Sequence, residues 1–285
     1  MNYILTFILS ISLLACSSKK KEEPPTPMPM KQQSTTDKNM TPDHNNQPEP
    51  HEPADKDKKH EKHTKWSYTG LTGPDMWGDL QQDYSLCKSG QKQSPINLVW
   101  SKPKKGAEIK FEYNETPYNL VDNGHTVKAT FEKGNNIKIS GHNFELEQVH
   151  FHAHSEHSVS GKFFPLEAHF VHKNDKGQLA VIAVLFVEGN ANPYLESMWQ
   201  QFPKEKNRSV ASSTSFNPVN LIPPIKTHYH YTGSLTTPPC TEGVMWNVFN
   251  TPVELSSEQM NHFKVLYTKN FRPIQPLNQR KVINY

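Results

Sequence analysis

The sequence predicts a mainly β protein: a single domain built on a large central, mostly antiparallel twisted sheet with a few short peripheral helices. Three observations point there. Apolar and polar residues alternate with period two through 109–113, 126–131, 137–139, 144–154 and 166–172, as strands with two unlike faces require. The run 179–187 is continuously apolar, which suits a central strand buried on both sides. Helix signals are few. Asn192 and Pro193 form a cap and first-turn pair ahead of 194–202, and Ser256 with Gln259 resembles a capping box ahead of 260–267. Residues 244–249 add a further strand. Turn signals separate these elements, including Asn123-Gly124, Gly134-Asn135-Asn136, Ser160-Gly161 and Asn174-Asp175.

The chain of 285 residues opens with a different kind of segment. Residues 1–15 contain an apolar run from Ile4 to Ala15, shorter than the ~20 residues a bilayer span needs. It suits the core of a signal peptide. Its ending, Leu13-Leu14-Ala15-Cys16, resembles the lipobox of bacterial lipoproteins, in which the cysteine becomes a lipid-carrying N-terminus. Met1-Asn2-Tyr3 lacks the usual basic residue, and Leu14 is bulky for its position. A plain secretory signal is therefore the competing reading. Residues 16–65 follow as a Pro/Lys/Glu-rich tether, with 8 Pro, 10 Lys and 9 acidic residues and no Leu, Ile, Val, Phe, Trp or Tyr. Such a segment buries too little apolar surface to offset its ordering entropy, and the expectation is disorder over a span of roughly 40 Å. Its four histidines, His44, His51, His60 and His63, read as solvated side chains or as loose metal recruiters.

The folded part, 66–285, holds 21 Lys plus Arg against 19 Asp plus Glu. That near-balance offers no electrostatic case for nucleic acid. No second domain boundary or internal repeat is visible, and nothing sets the oligomeric state. Cys87 and Cys240 remain once Cys16 is assigned to the leader. In an oxidising compartment they pair; the bland reading is two buried thiols.

The chemistry concentrates in histidines. His150 and His152 lie one pleat apart on one strand face, which they share with Phe144, Leu146, Gln148 and His154. If the next strand pairs alongside, His169 can join them, with Glu167 and Val171 on its own face. Three imidazoles on two strands can hold a zinc ion with a fourth position open. Gln148 and Glu167, each two residues before a candidate ligand, suit the carboxylate or amide partners that orient metal-bound histidines. An isolated His-x-His is more often solvated or core. His154, His157 and His172 read as structural.

In the string Tyr231-Thr232-Gly233-Ser234-Leu235-Thr236-Thr237-Pro238-Pro239-Cys240, the hydroxyls of Thr236 and Thr237 are held by a stiff Pro-Pro loop. Together with Trp66-Ser67-Tyr68, Gln93-Ser94-Pro95-Ile96-Asn97, Asn123-Gly124-His125, Gln148-Val149-His150-Phe151-His152, Ser155-Glu156-His157, Glu167 to His172 and Asn270 to Pro276, it resembles the α-class carbonic anhydrases in their exported bacterial form. These motifs span the whole of 66–285.

The resemblance implies a zinc enzyme that reversibly hydrates carbon dioxide to bicarbonate and a proton, by attack of zinc-bound hydroxide. It implies zinc ligation by His150, His152 and His169, with Gln148, Glu167 and the carbonyl of Asn270 behind them. Thr236 would accept from the hydroxide after giving its own proton to Glu156. His125 would shuttle the released proton, being the residue type that titrates nearest neutral pH. Val171, Val181, Leu235, Thr237 and Trp246 would line the carbon dioxide site, and Cys87 and Cys240 would form a disulfide. The expected setting is periplasmic or cell-surface, with a bacterial membrane as partner through lipid on Cys16. Ala153, His154, Lys128 and Tyr118 depart from the common pattern. Two other readings compete: a non-catalytic carbonic-anhydrase-like surface binding or adhesion module, and a zinc site turned to ester hydrolysis or metal handling.

Overall fold

A computed structural model describes residues 65–106 and 108–285; the expected signal peptide, Cys16 and almost all of the tether lie outside the described residues. Seven strands position the site: β1 (Tyr118–Asp122), β2 (Val127–Phe131), β3 (His142–His152), β4 (Leu166–Lys173), β5 (Leu179–Glu188), β6 (His228–Ser234) and β7 (Glu242–Phe249). They belong to a 12-stranded sheet with spatial order β1-β2-β3-β4-β5-β7-β6 through its centre. Ser209–Ala211 extends it beyond β1, and Ile283–Asn284 beyond β6. Neighbours are antiparallel except where β5 meets β7 and Val253–Leu255.

Alternation sorts the two faces of this sheet. On β4, Leu166, Ala168 and Phe170 enter one apolar cluster, while Val171 enters another on the opposite side. On β5, Ala180, Ile182, Val184 and Phe186 go to the first cluster, and Val181, Ala183 and Leu185 to the second. β5 is thus buried on both faces, as its unbroken apolar run predicts. Helices α1 (Pro193–Trp199) and α2 (Ser257–Leu266) cover the first cluster through Leu195, Met198, Trp199, Met260 and Phe263. Their caps form as read from sequence. The Asn192 side chain accepts from the amides of Tyr194 and Leu195, and Ser256 and Gln259 close a reciprocal capping box.

One expectation fails instructively. β3 does not carry Phe144, Leu146, Gln148, His150, His152 and His154 on a single face. The register against β4 shifts between Leu146 and Gln148, a bulge at Glu147. Phe144 and Leu146 consequently share the first cluster with Val149 and Phe151, while Gln148, His150 and His152 face the other way. The strand also stops at His152. His154 lies beyond it, stacked on Phe271 with ring centroids 3.8 Å apart.

Candidate active site

β3 and β4 run antiparallel, with His150 directly opposite His169 and His152 opposite Glu167. Each candidate ligand has one ring nitrogen held. His150 Nδ1–H donates to Gln148 Oε1 at 2.8 Å, His152 Nδ1–H to the Asn270 carbonyl at 2.6 Å, and His169 Nε2–H to Glu167 Oε1 at 2.7 Å. These bonds fix the tautomers and leave Nε2, Nε2 and Nδ1 free. One nitrogen from each of the three rings lies within 4.8 Å of the others. His152 Nε2 is buried with no hydrogen-bond partner. An orphaned lone pair in a dry site is costly unless something coordinates it. Burial, followed by the neighbouring histidines, pushes His150 well below the usual histidine range, and burial lowers His152 too. Both rings are therefore held neutral, the form that ligates.

Glu167 anchors this arrangement. Its Oε2 accepts the backbone N–H groups of Glu156 and His157, both at 2.8 Å, and its Oε1 also accepts from His157 Nδ1–H at 2.7 Å. Burial alone would raise its pKa; the facing His157 and His169 and their hydrogen bonds hold it well below the usual carboxylate range. His157, Glu167 and His169 are close enough to form a second metal-ligating group. However, both His157 nitrogens are engaged, Nε2 accepting from the Tyr231 hydroxyl at 2.6 Å. Tyr231 in turn meets Ser94 Oγ at 2.9 Å. This cluster supports the His150, His152, His169 site rather than competing with it. The sequence reading missed Tyr231 as its prop, although Tyr231 opens the singled-out string.

Glu156 is fully buried. Its Oε1 accepts the Arg272 backbone N–H at 2.8 Å. Its Oε2 has no hydrogen-bond partner and lies 3.6 Å from His152 Nε2 and 3.9 Å from His169 Nδ1. Thr236 is buried, and with Glu156 Oε2 unpartnered the expected Thr236–Glu156 bond is not formed. The loop carrying Thr236 is held from behind. Cys240 N–H donates to the Thr237 carbonyl at 2.9 Å, Gln93 donates to the Cys240 carbonyl at 3.0 Å, and Cys240 is disulfide-bonded to Cys87. The buried Arg272 guanidinium braces the same region through Gln93 Oε1, the Ser94 carbonyl and the Cys87 carbonyl.

Val171, Val181 and Trp246 share the second apolar cluster, with Leu235 packed against it. The Trp246 ring centroid is 4.9 Å from that of His169, and its Nε1–H is tied to the Ser234 carbonyl. An apolar wall therefore stands beside the triad. His125 sits in the turn between β1 and β2, where Asn123 Oδ1 accepts from the His125 and Thr126 amides. Its ring is half-buried and stacks on Trp66 at 3.7 Å with planes 7° apart. Burial lowers its pKa from the usual histidine value. Asn270 does more than sequence suggested, since its side chain also donates to the carbonyls of His125 and Phe151 and accepts from Ala153 N–H. Lys128 lies opposite His150 in register, so its charge sits on the triad's face.

This arrangement, three imidazoles on one sheet with one nitrogen each unclaimed, a buried carboxylate and an apolar wall, has close counterparts. Residues 72–285 match the eukaryotic-type carbonic anhydrase family. A carbonic anhydrase of Pectobacterium atrosepticum is 42% identical over 220 residues, covering 77% of this chain and 90% of that one. A carbonic anhydrase of Neisseria gonorrhoeae is 39% identical over 226 residues, covering 79% and 89%. Among solved structures, the α-carbonic anhydrase of Thermovibrio ammonificans, in complex with the inhibitor sulfanilamide, superimposes with a TM-score of 0.75 at 43% identity, covering 77% of this chain and 98% of that one. The chain belongs to the α-class carbonic anhydrase family.

Proposed function

We propose that this enzyme holds zinc through His150, His152 and His169 and uses it to hydrate carbon dioxide reversibly. The observation that carries the reading is the set of three buried or half-buried imidazoles, each with one nitrogen tied by a hydrogen bond and the other unclaimed. A zinc ion bound there would lower the pKa of a water it holds to about 7, a property for which carbonic anhydrases are themselves the reference case.

The remaining roles belong to the chain's own residues. Once the metal site is filled, the Thr236 hydroxyl donates a hydrogen bond to Glu156 Oε2, a buried acceptor that otherwise has no donor, and with its one proton committed the Thr236 oxygen can only accept. That orients the attacking oxygen's proton away from the substrate carbon. Val171, Val181, Leu235 and Trp246 give an apolar molecule a dry place to rest, and Thr237 borders it. His125 receives the proton and passes it to buffer, its half-exposed ring reaching solvent.

The chain is exported and carried by lipid on Cys16 at a bacterial membrane, in the periplasm or at the cell surface. The apolar leader ending at Cys16 and the polar tether support this, as does the Cys87–Cys240 disulfide, a bond that persists in oxidising compartments. Metal analysis with a stopped-flow carbon dioxide hydration assay tests the function. Fractionation of a Cys16→Ser variant in high salt, which removes proteins held by charge alone, tests the anchor; the anchor fails if that variant stays with membranes as firmly as the parent.

A further inference from the structure

Val99 and Trp100 are 65% and 69% exposed, an apolar pair that folding leaves in water. Every described residue from Ser101 to Gly106 is exposed too, and Lys102, Lys104 and Lys105 fall within that stretch. The hairpin beside it, Ser158–Val159 and Lys162–Phe163, adds an exposed Lys162 and a 47% exposed Phe163. No acidic residue occurs from Ser89 to Ala107 or from Ser158 to Phe163. The two segments that form the patch are thus apolar at the tip and carry lysines as their only charged side chains.

The loop is held in place. Leu98 is fully buried, and its carbonyl accepts the Ser160 N–H at 2.7 Å. Trp100 N–H reaches Ser160 Oγ, Asn284 Nδ2 donates to the Ser101 carbonyl, and Lys104 N–H donates to the Asn284 carbonyl at 2.8 Å. Gly106 lies flat against Tyr285; a Cβ there would come within 2.0 Å of that ring. A backbone pinned at both ends holds Trp100 outward instead of letting it collapse onto the domain.

We propose that Val99, Trp100, Lys102, Lys104 and Lys105, with Lys162 alongside, form a docking surface for an anionic phospholipid membrane. An indole beside an aliphatic side chain suits the headgroup boundary, where an amphipathic ring gains most. Clustered lysines whose own segments hold no Asp or Glu complement a negatively charged lipid surface. No residue of the patch belongs to the proposed catalytic set. The interaction does not require lipid on Cys16; it would turn a tethered domain into one seated on the bilayer in a defined orientation.

The test is sedimentation of the unlipidated full-length Cys16→Ser chain with vesicles of phosphatidylglycerol and phosphatidylcholine, against pure phosphatidylcholine. Binding to the anionic vesicles, weakened by high salt, is expected. In the same background, Lys102→Gln/Lys104→Gln/Lys105→Gln lowers partitioning at least about tenfold, and Val99→Ser/Trp100→Ser also lowers it. Hydration activity stays at the parent level, which reports intact folding. The basic residues of the tether are common to all variants. Equal binding by parent and loop variants, equal binding to neutral vesicles, or no binding at all overturns the proposal. So does a loop variant that changes only the oligomeric state in sedimentation velocity, which would assign the patch to a second copy of this chain.

Discussion

His150 and His169 face each other directly across antiparallel strands, with ring centroids 5.1 Å apart and planes at 90°. Cross-strand opposition brings two imidazoles together without any loop, and His152, one pleat along, supplies the third. The geometry is therefore set by the sheet. Sites built on strands hold their shape better than sites built on loops.

Proton exit is testable at His125. His125→Ala slows turnover most in weak buffer and is rescued by added imidazole. Because burial lowers the His125 pKa, the ring stays neutral and able to accept a proton down to a lower pH than an exposed histidine would. Trp66→Ala uncovers the ring and moves the pKa back up toward 6.5, measured by NMR titration of the imidazole. An unchanged titration would mean that Trp66 is not what buries it.

Glu156→Gln is expected to lower kcat about 10²-fold while metal content stays intact. An amide can present an N–H where Oε2 now offers an unpartnered acceptor, so Thr236 loses the acceptor proposed for its hydroxyl. Normal turnover in that variant would remove Glu156 from the mechanism.

The Cys87–Cys240 bond spans 153 positions. In the chain-entropy model a loop of that length contributes about 5 kcal/mol. Cys87→Ser/Cys240→Ser should lose stability of that order in urea unfolding. It should also lose activity earlier than secondary structure, because the bond lies behind the Thr236 loop.

His172 is buried, with Nε2 accepting from Tyr113 Oη at 2.6 Å and Nδ1 near the Ala180 carbonyl at 3.3 Å. Burial lowers its pKa from 6.5 to about 3. Below pH 6.5 the unfolded chain binds a proton that the folded chain refuses. Stability therefore falls with pH from 6.5 down to about 3, by about 1.4 kcal/mol per unit from this group. His172→Leu/Tyr113→Phe should flatten the slope by that amount between pH 6 and 4, read from unfolding midpoints; an unchanged slope would assign it to other groups.

Much of this was legible in the chain. Period-two alternation on β4 and the apolar run of β5 fix faces and burial directly, and the paired caps announce both longer helices. The bulge at Glu147 was not read, although a trace exists. Apolar residues sit at even positions in Phe144 and Leu146 and at odd ones in Val149 and Phe151, and such a switch of parity marks an inserted residue. β6 was missed because His228, Tyr229, His230 and Tyr231 alternate in contact but hardly in polarity. The Trp66–His125 stack and the Tyr231 prop join residues 59 and 74 positions apart; spacing carries no sign of such contacts. The Thr236–Glu156 bond, implied by resemblance alone, is absent from the structure.

The most direct test combines metal stoichiometry with stopped-flow carbon dioxide hydration on the purified chain, before and after chelation. One zinc per chain, hydration abolished by chelator and restored by zinc, and loss of both metal and activity in His169→Ala are the expected results. Hydration that survives complete metal removal, or full zinc binding and activity in His169→Ala, would contradict the assignment of this site.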